Sequence, residues 1–312
     1  MKKILSAVLV LLVLAALSSC GRGAEAKHRV VTTVFPAYDA ARAVAHGTDD
    51  VEVTMLLPPG SESHDYEPSL EDIALIGEAD LFITVGGESD KWTEKVLEAV
   101  GHEVPTLRLA DCVEHLDEAE LEGMEEEHGE EEEDAFDEHV WTTPANMAAI
   151  VLKTGEAMST LMPELSDAFS DASERYASEF EKLSEGYASL AENMERNVLI
   201  FADRFPFRYL AEEMGFECFA AFSGCSSDCE PSLSTIFFLT EKAKETGTGT
   251  VLTIEFSHSG AADVIAREAG AEVRVLHSCH NVSREDFDAG VTCLDLMKGN
   301  LEVLKAALGE GK

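Results

Sequence analysis

The sequence predicts an α/β protein of two lobes, each with a mostly parallel sheet, joined by one long helix. Three observations support this fold class. Short apolar runs alternate with segments of helical periodicity over residues 29–144, the alternation resumes over residues 198–312, and a helical linker, residues 145–197, separates the two regions. Such alternation is typical of parallel sheets covered by helices.

In the N-terminal lobe, apolar runs bounded by Pro, Gly or Asp predict four strands. They are Arg29–Phe35, Val51–Leu57, Leu81–Val85 and Val104–Leu109. Helical periodicity predicts Tyr38–Ala45, Leu70–Gly77 and Lys91–Val100 as helices between them. Ser69, followed three residues later by Asp72, is a candidate N-cap for the second helix.

After Pro163, apolar residues recur at helical spacing and predict an amphipathic helix of about eight turns. Four further strands are predicted beyond it, at Val198–Phe201, Phe216–Phe219, Thr250–Glu255 and Val273–Leu276. Two comparable lobes place a cleft at their junction, outside the carboxyl ends of the strands, where a ligand is expected. The single connecting helix favours rearrangement of loops over a large hinge closure.

The first twenty residues have the pattern of an export signal. Lys2 and Lys3 precede the apolar run Ile4–Leu17, which at about 14 residues is shorter than the roughly 20 that span a bilayer. The small residues before Cys20 are similar to the cleavage site of bacterial lipoproteins. Residues 1–20 are therefore predicted to be a lipoprotein signal peptide that ends at a lipidated Cys20, and residues 21–28 a tether; an uncleaved anchor helix is the alternative. The rest is expected to face the periplasm or the cell exterior.

The charge is strongly acidic, with 61 Asp and Glu against 23 Lys and Arg and a net charge of -38. The negative electrostatic potential of such a chain repels nucleic acid and attracts cations. Fifteen acidic residues and no Lys or Arg lie between residues 114 and 139, which predicts a solvated loop over residues 114–138. His115 and His128 within the loop add nitrogen donors for weak collection of cations.

Six cysteines follow Cys20, and oxidising conditions outside the cytoplasm favour their pairing as disulfides. Cys225 and Cys229 flank a polar turn, and Cys279 lies between His277 and His280. A zinc-thiolate site is the alternative, but a second Cys-x-x-Cys pair is absent from the sequence. The pairing stays open.

Four histidines follow predicted strands or the acidic loop and are candidate metal ligands. They are His64, His139, His277 and His280. His64 lies in the loop after the second strand, His139 precedes Trp141 where the acidic run ends, and the other two follow the last strand. Neutral imidazoles with a carboxylate or water make a tetrahedral site suited to zinc.

Two segments resemble the metal-binding lipoproteins of ABC importers, the zinc and manganese branch of the solute-binding proteins. The first is Pro58–Ser69, which contains His-Asp-Tyr-Glu-Pro-Ser, and the second is Asp137–Trp141, which is similar to the family's Asp-x-His-x-Trp. The resemblance covers residues 29–308 and implies that His64 and His139 are ligands from the first lobe. The acidic, histidine-containing loop resembles the zinc members.

The second lobe departs from the family pattern. Where the family has a ligand opening a His-Asp-Ala-Phe-Gly-Tyr type of segment, this chain has Ala202, which cannot bind a metal. After the last strand, where the family usually has an Asp, this chain has His277, so the resemblance implies a nitrogen donor in the place of the fourth ligand. The remaining donor could be His280, Asp203, Glu255 or a water, with His280 first because its spacing from His277 allows both rings to face one centre.

The resemblance implies a lipid-anchored binding protein that captures a divalent ion and passes it to the membrane permease of an ABC importer. Histidine donors favour Zn²⁺ as the bound ion over the alternative Mn²⁺. No enzymatic activity and no catalytic cofactor are expected. An exported zinc hydrolase is one alternative, although a short His-Glu-x-x-His motif is absent, and a surface adhesin on the same fold is another.

Overall fold

The computed structural model describes residues 26–62, 66–125, 136–224, 226, 230–257 and 259–309. The predicted signal peptide and Cys20 lie outside these ranges. Within them, no helix combines the length and the apolar composition that crossing a bilayer requires.

The N-terminal lobe is a four-stranded parallel sheet with the strand order β2-β1-β3-β4. Its elements are β1 (His28–Thr32), α1 (Phe35–Val44), β2 (Val51–Met55), α2 (Leu70–Gly77), β3 (Leu81–Thr84), α3 (Trp92–Val100) and β4 (Thr106–Arg108), with 3-10 turns at Glu88–Asp90 and Ala110–Cys112. The strands and helices predicted for this lobe are confirmed, with ends that differ by a few residues.

The C-terminal lobe has a second four-stranded parallel sheet, with the strand order β6-β5-β7-β8. Two helices precede it, α4 (Pro144–Leu161) and α5 (Ser166–Asn193), separated by a 3-10 turn at Pro163–Leu165. The lobe itself comprises β5 (Val198–Phe205), α6 (Arg208–Met214), β6 (Glu217–Ser223), α7 (Leu233–Thr246), β7 (Thr250–Thr253), α8 (Ala261–Ala269), β8 (Glu272–Val275), α9 (Arg284–Ala289) and α10 (Cys293–Leu308).

The predicted long helix is α5, and α4 folds back against it. At their contact, a Cβ atom added to Gly155 of α4 would lie 2.6 Å from Cβ of Ser173 on α5, so this close approach requires glycine. Further along α5, the Tyr187 hydroxyl donates to the carbonyl of Met297 in the last helix at 2.8 Å. Thus α5 contacts both α4 and the C-terminal lobe.

Alternate residues along the strands of each sheet point to opposite faces and pack in different apolar cores. The largest core is continuous through both lobes and contains Val30 of β1 and Phe201 of β5 together with Phe180 of α5. A smaller core under α2 and α3 contains Val31, and another under α7 and α8 contains Ala202. The two sheets therefore share one core on their inner faces, and each has its own core on the outer face.

One helix in each lobe, α2 in the first and α7 in the second, begins at the same four-residue sequence. Glu67-Pro68-Ser69-Leu70 precedes and opens α2, and Glu230-Pro231-Ser232-Leu233 precedes and opens α7. Each serine accepts a hydrogen bond from a backbone N–H of the first turn, at 3.2 Å in both helices. The predicted Ser69 cap is confirmed as a capping box with Asp72. The corresponding cap at Ser232 shows that the two lobes share the same local structure at this point.

The acidic segment is anchored where the structure describes it. Residues 126–135 lie outside the described ranges. Before them, the chain crosses to the C-terminal lobe, where the N–H of Glu125 donates to the carbonyl of Ala221 at 2.9 Å and its Oε1 accepts from Thr235 at 2.6 Å. Lys242 pairs with Glu122 at 3.2 Å. The solvated loop predicted for residues 114–138 therefore has a fixed stem.

A buried carboxylate holds three helices of the two lobes together. Asp39 of α1 is fully buried and accepts from Arg42 at 2.8 Å, from the Tyr176 hydroxyl of α5 at 2.6 Å and from the N–H of Cys293 of α10 at 3.1 Å. Arg42 in turn donates to the carbonyl of Gly290 at 3.3 Å. The carboxylate thus joins α1 to two other helices, and Arg42, its partner within α1, extends the contact to the segment before α10.

We expect Asp39→Ala to lower the free energy of unfolding by about 3–5 kcal/mol, because it removes the charge partner of Arg42, whose side chain is 22% exposed, and the acceptor of the Tyr176 hydroxyl and the Cys293 N–H. Urea denaturation followed by circular dichroism measures the change. Glu156→Ala, which breaks an exposed ion pair with Lys153, is the control and should leave the midpoint nearly unchanged. Equal midpoints for the two variants would contradict this role of Asp39.

Candidate metal centre

A cavity lies at the lobe junction, beyond the carboxyl ends of β5, β7 and β8. Its walls include Glu62 and His139 from the first lobe, and Arg204, Gly224, Glu255 and His280 from the second. It encloses about 350 Å³ of space, part of it open to solvent. The expectation that a cleft between the lobes would gather polar groups is met in the described residues.

His139 is held in one orientation by Asp137. Its ring is 1% exposed, and Oδ1 of Asp137 lies 3.1 Å from Nδ1 and 2.9 Å from the backbone N–H of the same histidine. Burial lowers the pKa of His139, but the carboxylates of Asp137, Glu138 and Glu118 together outweigh burial, so the net pKa is raised. A carboxylate on Nδ1–H places the lone pair on Nε2, the tautomer that a metal-binding histidine needs.

Trp141 links this histidine to the second lobe. Its indole N–H donates to the carbonyl of Ser278 at 2.9 Å, and its ring centroid lies 5.5 Å from His139 and 5.0 Å from His280. The two imidazoles are 5.6 Å apart and nearly perpendicular. A buried indole therefore fixes the separation of two histidines that come from different lobes.

The strand ends that carry the second wall contain unusual backbone conformations. Phe256 after β7 has φ of 59° and Cys279 after β8 has φ of 64°, the positive values found among described non-glycine residues. Such residues persist only where the surrounding structure holds them, and they concentrate at functional sites. Here they turn Glu255 and His280 towards the cavity.

The loop after β2 is tied to the second lobe. The side-chain amide of Asn281 donates to the carbonyls of Pro58 and Ser61, each at 2.8 Å, and Arg204 donates to Glu62 at 3.0 Å. His64 follows in this loop and lies outside the described residues. Its neighbour Glu62 lines the cavity.

His277 is engaged with its own loop. It is not among the residues that line the cavity; its Nδ1 lies 3.0 Å from the N–H of Cys279 and 3.6 Å from Glu255. Burial lowers the pKa of His277, and the Glu255 carboxylate opposes this, so the pKa is raised to about 9. The carboxylate favours a protonated ring, whereas the N–H of Cys279, 3.0 Å from Nδ1, needs a lone pair on that nitrogen and opposes protonation there.

The other donor candidates differ in position. Glu255 lines the cavity, and its oxygens accept from the N–H and hydroxyl of Ser278 at 2.7 and 2.5 Å. Asp203 lies outside the lining and accepts from the N–H of Arg204 at 2.8 Å. Among the described residues, no three His, Cys, Asp or Glu side chains are grouped to hold a metal ion.

The cysteines within the described ranges are free thiols, which corrects the expectation of disulfides for these positions. They are Cys112, Cys218, Cys279 and Cys293. Cys279 and Cys293 share a thiol–thiol hydrogen bond, which lowers the pKa of Cys279. Cys112 and Cys218 are apart from them on other elements, and Cys225 and Cys229 lie outside the described residues.

Sequence analysis missed Arg204 and Gly224. The register of β5 with β6 is irregular between Phe201 and Arg204, and such a bulge redirects the following side chains. Arg204 therefore enters the cavity, whereas Ala202 faces the outer core. Gly224 is required because a Cβ there would lie 2.9 Å from Cε1 of His139.

The fold defines a protein of two parallel-sheet α/β lobes with a polar cavity at their junction. The chain belongs to the family described as zinc-uptake complex component A, periplasmic, whose model matches residues 30–307.

Individual relatives agree with this assignment. The zinc-binding lipoprotein AdcA of Streptococcus pneumoniae is 31% identical over 309 residues, which cover 98% of this chain and 61% of AdcA. The high-affinity zinc uptake system protein ZnuA of Bacillus subtilis is 30% identical over 288 residues, or 90% of this chain and 88% of that protein. The crystal structure of the Zn(II)-bound ZnuA-like domain of pneumococcal AdcA has a TM-score of 0.76 and 27% identity, and covers 91% and 100% of the two chains. This chain thus spans about three fifths of the length of AdcA.

We expect Gly224→Ala to weaken metal binding, because the new methyl group would displace the His139 ring or the carbonyl of Phe205, 3.1 Å away. Gly249→Ala is the matched control, since a Cβ there meets nothing within 4 Å. Zinc titration of both purified variants, with circular dichroism as a check of folding, measures the difference. Equal zinc affinities would show that Gly224 does not support the site.

Proposed function

We propose that this protein captures a divalent transition-metal ion outside the cytoplasm and passes it to the membrane permease of an ABC importer, with zinc as the physiological ion. The observation that carries this proposal is the pair His139 and His280, one from each lobe, in a cavity between the lobes. Membership of the zinc-uptake family supports the class of cargo. The proposed protein is held at the membrane by a lipid on Cys20 and performs no chemical step.

The donor set favours zinc on chemical grounds. Imidazole nitrogens suit zinc, whereas manganese prefers carboxylate, carbonyl and water oxygens. We propose His64, His139 and His280 as ligands, because His64 continues the loop that Asn281 and Glu62 fasten beside the cavity. His277 stays a candidate for the remaining position, although its ring contacts its own loop. Because donors come from both lobes, binding strengthens the contact between them.

His139→Ala and His280→Ala should each weaken zinc binding by more than about a hundredfold, beyond the 10–100-fold cost of losing a supporting residue. Competition with a chromophoric chelator measures the affinity. His46→Ala, at an exposed position on the turn after α1, is the control and should match wild type. Wild-type affinity in either cavity variant would refute this site.

The same titration on two further variants decides the remaining ligands. His64→Ala should behave like His139→Ala, whereas the loop contacts of His277 predict a smaller loss for His277→Ala. A loss with His277→Ala as large as that with His139→Ala would make His277 a ligand. Wild-type affinity in His64→Ala would remove His64 from the set.

Acid should release the metal, because protons compete for the imidazole lone pairs. The pKa of His139 is raised above 6.5, so protonation of the metal-free ring begins to compete with zinc already above that pH, and the affinity for zinc falls further as the pH decreases. Asp137→Asn keeps an acceptor for Nδ1–H but removes the negative charge, and its release midpoint should move to lower pH. Zinc affinity measured between about pH 8 and pH 5 tests this, and identical midpoints would contradict it.

A further inference from the structure

The two most exposed large apolar side chains among the described residues occupy the same place in the two lobes. They are Leu70, which is 86% exposed, and Leu233, which is 85% exposed. Each is the first residue of its helix, α2 or α7, and directly follows the serine that caps that helix. A single exposed leucine is ordinary on a protein surface. Two leucines at equivalent positions with equal exposure indicate a common role.

Both leucines lie on the side of the molecule that contains the cavity. The helices α2 and α7 each follow the second strand of a parallel sheet, and the two sheets have the same strand order. The carboxyl ends of parallel strands meet at one edge of a sheet. The segment that leads into α2 contributes Glu62 to the cavity wall, and the segment that leads into α7 contributes Gly224. One exposed leucine is thus found on each lobe at the edge where the cavity lies.

The leucines have acidic neighbours, and on α7 the apolar surface is larger. Phe237 is 68% exposed and lies one turn after Leu233 on the same face of α7. Exposed Glu67 precedes Leu70 by three residues, and exposed Glu230 precedes Leu233 by the same interval. A complementary surface therefore has an apolar pocket for each leucine and cationic groups around each pocket.

Charge and symmetry favour one kind of partner over the others. A net charge of -38 opposes contact with a second copy of this chain and with an anionic lipid surface. A contact that occurs twice, once on each lobe, matches a partner that presents the same surface twice. An assembly of two like subunits related by a two-fold axis does so.

We propose that Leu70 and Leu233 are docking contacts with the outer face of the permease, each leucine binding one of two like membrane subunits or halves. This inference rests on the proposed function, in which the metal ion passes from the cavity to the permease. Docking through both leucines turns the cavity side of the protein towards the junction of the two halves. Phe237 enlarges the contact of the second lobe.

Titration of the zinc-loaded full-length protein against its permease, both purified in the same detergent, measures docking. Leu70→Gln and Leu233→Gln should each weaken docking by about tenfold or more, because each variant removes the burial of a leucine side chain. The double variant should lose about the product of the two factors, because the leucines lie on different lobes. Leu152→Gln changes a 40% exposed leucine of α4 and is the control, which should dock like wild type.

The same variants separate docking from metal capture. Each should keep the zinc affinity and the unfolding midpoint of wild type, because the replaced side chains are exposed and the Ser69 and Ser232 caps remain. Equal docking by wild type and the leucine variants, an effect of only one leucine, or a parallel loss of zinc affinity would overturn this inference while leaving the proposed function in place. A zinc-loaded wild-type protein that does not dock at all would instead refute the proposed delivery to a permease.

Photo-crosslinking in cells identifies what covers the leucines. With p-benzoylphenylalanine in place of Leu70 or of Leu233, the full-length protein should form adducts with the membrane subunit of the permease from both positions. The same replacement at Leu152 should form none. Adducts with lipid or with a second copy of this chain, and none with the permease, would assign the leucines to those occupants and contradict the proposal.

Discussion

The buried carboxylate of Asp39 determines how the two lobes meet. It joins α1 of the first lobe to α5 and α10, and Arg42 extends the same network to the carbonyl of Gly290. A buried charge is tolerated only when its partners are in place, so these helices have one favourable arrangement. The continuous apolar core shared by the two lobes stabilises the contact without fixing its direction. The hydrogen bonds and ion pair of Asp39 determine how the helices are oriented relative to one another. Both sheets consequently present their carboxyl ends to one cavity.

Because the two lobes are packed rigidly against each other, the loops that line the cavity are the parts of the protein that can adjust to a bound ion. Trp141 and Asn281, which are close in sequence to His139 and His280, each make hydrogen bonds from one lobe to the other. Hydrogen bonds between protein groups therefore hold the described histidines in position, which reduces the ordering that binding must offset.

Local patterns predicted the strands, the helices and the Ser69 cap because each depends on neighbouring residues alone. His139 could be found in the same way, since Asp137 and Trp141 are adjacent to it. Arg204 and Gly224 could not, because their positions depend on a bulge in β5 and on a contact across the lobe junction. The expected disulfides failed at the described cysteines for a similar reason, since compartment chemistry does not decide which thiols meet.

The hydrogen bond from Cys293 to Asp39 has a consequence for the order in which the chain acquires structure. When the chain is synthesised or exported from its N-terminus, Asp39 emerges early. Its carboxylate can accept the hydrogen bond from the N–H of Cys293 only after nearly the whole sequence has emerged. Until then, the Asp39 carboxylate of the first lobe lacks part of its hydrogen-bond partners. The apolar inner face of that lobe also lacks the second lobe that covers it. Vectorial synthesis or translocation should therefore yield no stable half-molecule, and the final compaction of both lobes should wait for α10.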